Sequence, residues 1–246
     1  MESRNYTATG GVSLSQREFF NQVFQLMGVG LAITAFVTYL LAWNDGLMSN
    51  LFNTYQGVDS DGEPMTKYGI SAWWWVAAAM QLGMVFWLAG SSLMTKINVQ
   101  TGMIVFGLYA ALTGVTLAPV IYMYTEASVA KVFLITAITF SGCALWGYTT
   151  KRDLTGMGGF FLYALIGLIV AMLINFIFQS PMMDYLVSCA AVVIFAGLTA
   201  YDIQKLREMH SERSEHSGLV VYGALTFYLD FINLFIHLLR LFGQRK

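Results

Sequence analysis

Two aspartates stand where charge is costly. Asp202 closes the run Gly197-Leu198-Thr199-Ala200-Tyr201-Asp202, and Asp230 lies inside Tyr228-Leu229-Asp230-Phe231-Ile232-Asn233. Both border or interrupt long apolar stretches, and ionisable groups in such stretches are rare, expensive and functional by default. Two carboxylates that meet in a low dielectric cannot both ionise cheaply, so the pair titrates as a unit and holds one proton near neutral pH. Such a pair is a proton switch, a site for a hard cation such as calcium, or both, because calcium prefers carboxylate oxygens. The plainer alternatives are local: Asp202 paired with Lys205, and Asp230 with Asn233.

Helical spacing gives the second aspartate company. Asp230, Asn233, His237 and Arg240 recur at i, i+3, i+7 and i+10, which is one helix face. The rest of that segment is apolar, so the polar face should turn inward. Ser188, Phe195, Thr199 and Asp202 form a similar stripe on the preceding segment. Gln81 is a further polar candidate, either for the site or for an interhelical hydrogen bond. Asn175 reads as packing glue, and His237 as a satisfied interior histidine rather than a ligand. Cys143 and Cys189 read as small core residues rather than a disulfide.

The elements that must position these groups follow from composition. The chain has 246 residues, 57% hydrophobic and 11% charged, with a net charge of −1, and its mean hydropathy is +0.61. A soluble domain is about 25% charged. Charge this sparse cannot cover a globule, which excludes a soluble enzyme, a disordered chain and a nucleic-acid binder. Seven charge-poor runs appear: residues 21–43, 68–95, 97–125, 132–150, 154–183, 185–201 and 219–242. About 20 residues cross a bilayer core, and continuous runs exclude a β-barrel. The expectation is an all-α membrane protein with seven transmembrane helices: a cytoplasmic tail over 1–20, a transmembrane domain over 21–243 and a short tail over 244–246. No cleavable signal peptide is evident; the first span acts as its own insertion signal.

Lysine and arginine set the orientation. With a cytoplasmic N-terminus, the inside holds Arg4, Arg17, Lys96, Lys151, Arg152, Lys205, Arg207 and Arg213, and the outside only Lys67 and Lys131 before the last segment. Arg240, Arg245 and Lys246 then fall outside if that segment crosses, and inside if it is re-entrant; the full crossing is favoured. The external loop 44–67 carries Asp59, Asp61 and Glu63 around Gly62, but the calcium-loop register fails: the first and twelfth positions would be Gly57 and Tyr68. It reads as a solvated loop, with Trp73, Trp74 and Trp75 as an interfacial anchor beyond it. Residues 205–217 read as a charged, solvated linker; His210 and His216 fit no usual metal spacing.

The sequence resembles the Bax inhibitor-1 family of transmembrane Bax-inhibitor-motif proteins, in its bacterial branch. The resemblance rests on Gly-Tyr-Thr-Thr-Lys-Arg-Asp-Leu-Thr-Gly-Met-Gly at 147–158, on Thr199-Ala200-Tyr201-Asp202, and on Tyr228-Leu229-Asp230-Phe231-Ile232-Asn233-Leu234-Phe235 followed by Leu238-Leu239-Arg240-Leu241-Phe242-Gly243. It covers essentially all seven spans. It implies a bundle with the last helix central, a bacterial inner-membrane location, a pH-sensitive calcium leak, and a di-aspartyl proton sensor formed by Asp202 and Asp230, which would also be the calcium ligands. One departure stands out. Some members place an acidic residue in the second helix and, near its end, an arginine that latches the sensor. Here the second helix has Gln81, no arginine falls between Trp73 and Thr101, and Lys96 is the nearest base.

Three functions compete. The first is a pH-sensitive calcium channel with no cofactor beyond the ion it carries. The second is an intramembrane aspartyl protease; Tyr201-Asp202 matches that class, but its second motif, Gly-x-Gly-Asp, is missing, since Phe227-Tyr228-Leu229 precedes Asp230. The reading is therefore of a protein that is not an enzyme. The third is a stress-protective regulator that binds a membrane protease or another membrane protein, with the N-terminal tail as a handle. Beyond the lipid bilayer and calcium, no nucleic-acid partner is expected.

Overall fold

A computed structural model describes residues 15–44, 46–47, 52–58, 64–90, 98–212 and 218–246. Seven helices carry the architecture: α1 (Gln16–Ala42), α2 (Ala72–Gly90), α3 (Val99–Tyr122), α4 (Glu126–Thr149), α5 (Gly158–Phe178), α6 (Pro181–Glu212) and α7 (Leu219–Phe242). A hairpin of β1 (Phe52–Val58) and β2 (Pro64–Ile70) joins α1 to α2, and a 3-10 turn at Thr155–Met157 leads into α5. Among the described residues, six helices, α1 and α3 to α7, are long and apolar enough to cross a membrane. Large apolar side chains such as Phe36, Leu134, Ile138 and Ile177 lie exposed on the bundle's outside, the surface expected of a protein whose solvent is hydrocarbon.

The helix ends follow local chemistry. Ser15 and Glu18 form a capping box: the Glu18 amide donates to Ser15 Oγ at 3.3 Å, and the Ser15 amide donates to Glu18 Oε2 at 3.0 Å. Helix α1 thus starts at Gln16, drawing the last residues of the expected tail into the helix. Asn98 caps α3 by accepting from the Gln100 amide at 3.3 Å. Asn175 does more than glue helices: its Oδ1 accepts from the Ser180 amide at 3.0 Å and its backbone carbonyl from the Gln179 amide at 2.7 Å. Gln179 takes a left-handed conformation, φ 49°, and Pro181 starts α6 at the position that tolerates a missing N–H. Two residues therefore reverse the chain between α5 and α6.

Helix α7 is the centre of the bundle. In its most apolar stretch 72% of residues are buried, against 17% in α5, and α1, α3, α4 and α6 all pack on it. It is one unbroken helix of 24 residues, about 36 Å long. Its far end docks beside the α3–α4 turn: the Thr125 amide donates to the Gln244 carbonyl at 2.9 Å, the Lys246 amide to the Met123 carbonyl at 3.0 Å, and the Gln244 amide to Ser128 Oγ at 2.8 Å. The last segment thus runs from the α6–α7 end of the bundle to the α3–α4 end, and is not re-entrant. Glycine permits the tightest crossings. A Cβ on Gly147 would lie 2.3 Å from the Ala200 carbonyl oxygen, where α4 meets α6, and one on Gly114 would lie 2.8 Å from the Thr34 carbonyl oxygen, where α3 meets α1.

Two expectations need correction. The stretch 44–67 is not a plain loop: β1 and β2 pair antiparallel from Phe52↔Ile70 to Val58↔Pro64. The second helix accordingly begins at Ala72 rather than at Tyr68. Residues 205–212 are not a solvated linker either, because α6 continues through them to Glu212. Ile203, Leu206 and His210 repeat at helical spacing and are buried, and the His210 ring stacks on Phe19 of α1 with centroids 4.2 Å apart. Asp59, Asp61, Gly62, Glu63, Lys96, Arg213, Glu215, His216 and most of the tail over 1–20 lie outside the described residues.

Candidate functional site

Asp230 is the twelfth of the 24 residues of α7, its midpoint. Only 5% of it is exposed. Its Oδ2 atom is buried with no hydrogen-bond donor among the described residues. The side chain that meets it belongs to Asp202, half-buried on α6, and the two carboxyl groups are within hydrogen-bonding reach of each other. A carboxylate only accepts, so a bond between two carboxyls needs a proton on one of them. Of the sequence candidates, these two are the ones brought face to face.

A crevice too narrow for a water molecule lies between α6 and α7, lined by Asp202, Lys205, Tyr222, Gly223 and Thr226. Lys205, one turn beyond Asp202, is near enough to it for the charges to interact, and its Nζ lies 5.6 Å from the Tyr201 ring centroid. Asp230 sits behind Asp202, away from that crevice. Lys205 was legible only as a local partner, and Tyr222 was missed. The signal was there: Tyr222, Thr226 and Asp230 recur at i, i+4 and i+8, continuing the polar stripe of α7 toward its N-terminal end.

The remaining candidates are placed apart from the pair's contact. The Thr199 hydroxyl donates to the Phe195 carbonyl at 2.8 Å, and Asn233 Nδ2 to the Leu229 carbonyl at 2.8 Å, so both are engaged by their own helices. His237 is buried, with Nδ1 3.5 Å from Ser188 Oγ and its ring stacked on Phe195 at 6.2 Å. Arg240 is exposed in the last turn. Gln81 holds α2 to α3: Nε2 donates to Thr113 Oγ1 at 3.0 Å and to the Tyr109 hydroxyl at 3.3 Å, while Oε1 accepts from Thr116 Oγ1 at 2.8 Å. Tyr109 in turn packs on Tyr228, whose hydroxyl lies 2.6 Å from Thr34 Oγ1. This polar cluster lies on the α1–α3 side of α7, and the carboxyl pair on the α6 side.

Among the described residues no three His, Cys, Asp or Glu side chains gather as metal ligands. Calcium takes six to eight oxygens at a resident site, and two carboxylates supply at most four. What the arrangement can do is hold a proton between two carboxyl groups. Cys143 on α4 and Cys189 on α6 are both free thiols.

A bundle of long apolar helices around a buried last helix defines a multi-pass integral membrane protein. The family model described as "Inhibitor of apoptosis-promoting Bax1" matches residues 16–246, and the chain belongs to the Bax inhibitor-1 family. It is 40% identical over 233 residues to the inner membrane protein YbhL of Escherichia coli K12, covering 93% of this chain and 92% of that one. It is 37% identical over 237 residues to an uncharacterized protein of Borreliella burgdorferi, covering 95% and 94%. An uncharacterized membrane protein of Streptococcus pyogenes serotype M3 is 37% identical over 231 residues, covering 92% and 93%.

Proposed function

We propose that this chain is a pH-gated calcium leak of a bacterial inner membrane, with Asp202 and Asp230 as its proton sensor and transient cation site. The observation that carries the reading is the meeting of two carboxyls at the midpoint of the most buried helix, where their bond requires a proton. With both groups ionised, the pair holds a divalent cation too strongly to pass it on. Conduction needs a site favourable enough to enter and weak enough to leave. One shared proton halves the charge, releases the cation and biases the packing of α7 against α6. Flux therefore rises as the pH falls. The inner-membrane location rests on the named relative, and the N-terminus is placed in the cytoplasm by the lysine and arginine bias.

The test is calcium efflux from loaded liposomes across a pH series, for the unaltered protein and for Asp202→Asn and Asp230→Asn. The proposal expects an acid-stimulated flux whose pH dependence each variant flattens. An unchanged pH profile in both variants overturns it. The family description, inhibition of a death-promoting protein, supports a second reading in which the chain also modulates another membrane protein. Loss of a co-purifying membrane partner on removal of residues 1–14, with flux intact, would mark that role.

A further inference from the structure

Helices α1 and α4 both pack on α7 but hardly touch each other. A groove lies between them, floored by α7. One half, about 640 Å³, runs along α1 from Arg17 to Leu31. The other, about 850 Å³, runs from Leu31 to Trp43. The halves share Leu31 and Phe231, the residue after Asp230.

The dimensions and chemistry of the first half fit one occupant. Fourteen helical residues separate Arg17 from Leu31, about 21 Å. One leaflet with its headgroups is about 20–22 Å deep. Gly28 on α1 and Ala137, Ser141 and Ala144 on α4 are the small residues of a lining that also carries Phe20, Phe24, Phe140 and Tyr148. A Cβ on Gly28 would meet nothing within 4 Å, so the wall is open there. The mouth is basic. Arg17 is exposed, and the acid beside it, Glu18, is bound to Ser15. Across the mouth Arg207 Nη1 donates to the Tyr148 carbonyl at 2.7 Å, its guanidinium carbon 6.0 Å from the Tyr148 ring centroid. Below the mouth the lining is mostly apolar down to Phe231, with Asn21 and Ser141 as its polar members.

We propose that this half of the groove binds one anionic phospholipid of the leaflet at the Arg17 end. Its phosphate sits at Arg17, and one acyl chain lies along Gly28 and Ser141 with its tip on Phe231. A basic mouth selects the anionic headgroup, and a dry throat one leaflet deep selects the chain. The second half of the groove belongs to the opposite leaflet and is not part of the site.

The test is native mass spectrometry of the purified full chain, with phosphatidylglycerol or phosphatidylcholine of identical acyl chains added to the micelles. One phosphatidylglycerol per chain should survive activation that strips the others. Gly28→Leu should abolish that retained adduct, and Ser141→Leu on the facing wall should do the same through an independent substitution. Arg17→Gln should lower phosphatidylglycerol retention about fivefold, the worth of one basic side chain at an anionic surface, and leave phosphatidylcholine unchanged. Melting temperatures of all three variants identify any that fail to fold. Equal adducts in the unaltered chain and in the folded variants would mean annular lipid alone and would overturn the proposal. So would a dimer that Gly28→Leu or Ser141→Leu dissolves, which would make the groove a contact between two copies.

Discussion

Asp202 meets Asp230 across the α6–α7 seam with one carboxyl on the recessed, half-buried side and the other on the fully buried side. The asymmetry divides the work. On the proposed function, the less buried Asp202 is the carboxyl that receives protons and cations, and Asp230 is the one whose charge bears on the packing of α7. Asp230→Asn should therefore remove the pH dependence of calcium flux while retaining a hydrogen bond, because the amide donates to Asp202 without a proton from solution. Asp202→Asn should also flatten the profile and, having lost the outer carboxylate that receives the cation, should conduct less than Asp230→Asn at every pH. Liposome efflux measured between about pH 6 and pH 8 checks both, since a coupled pair changes its charge over a broad range. Equal basal flux in the two variants would contradict this division of roles.

Tyr228 ties the opposite face of α7 to α1 and α3. Its hydroxyl lies 2.6 Å from Thr34 Oγ1, which also donates to the Gly30 and Ala110 carbonyls. Tyr228→Phe removes one bond and leaves Thr34 with two acceptors. In a double-mutant cycle with Thr34→Val, the coupling should be about 0.6 kcal/mol and no more than about 1.7, the range for interhelical hydrogen bonds in lipid. Reversible unfolding in mixed micelles gives the number. The pH profile of flux should not move, because this cluster is away from the carboxyl pair.

Gln81 is a packing residue by its contacts. Its amide makes three side-chain bonds to α3, and Trp74 Nε1 adds a fourth tie by donating to the Thr116 carbonyl at 3.0 Å. Gln81→Leu should cost about 1–2 kcal/mol of stability, since it removes three bonds to the buried Tyr109, Thr113 and Thr116 side chains. The variant should conduct with its pH midpoint unchanged. A shifted midpoint would show instead that α2 takes part in sensing.

The positions of the helices were plain in the sequence because absence of charge is itself the signal for lipid. The run 219–242 coincides with α7, and 97–125 brackets α3. The carboxyl pair was legible for the same reason, as two acids in stretches otherwise without charge. Residues 205–212 were misread because their charges resemble a linker, while the apolar stripe Ile203, Leu206, His210 marks a helix running past the bilayer edge. The hairpin lacked a clean alternation: Asn53, Gln56 and Gly57 dilute β1, and Gly69 dilutes β2. Which partners Gln81 and Tyr228 would take depends on how helices sit against each other, which no single run encodes.

Gly147 should tolerate no side chain. Its missing Cβ would lie 2.3 Å from the Ala200 oxygen and 2.7 Å from its Cα, and backbone in a helix cannot step aside as a side-chain tip can. Gly147→Ala must push α4 from α6 at Ala200, two residues before Asp202. The expected cost is at least about 1–3 kcal/mol, the range for overpacking. Gly28→Ala, facing open space, is the matched control and should change melting by little.

Asp153 gives a pH dependence that is independent of the carboxyl pair. It lies in the exposed turn between α4 and α5, where its Oδ1 accepts from the Thr155 amide at 2.8 Å and from the Thr155 hydroxyl. The side-chain bond first and the backbone bond second hold its carboxyl below the ordinary carboxylate range. A group lowered in the folded state adds stability that is complete above its unfolded value, about 3.9, and is lost as the pH falls through the folded one. Asp153→Asn should therefore lower the melting temperature slightly at neutral pH and leave it unchanged at the acid extreme, where the unaltered carboxyl is protonated too. The two melting curves should converge on acidification below about pH 4. A difference that stays constant down the whole series would assign the effect to geometry rather than charge.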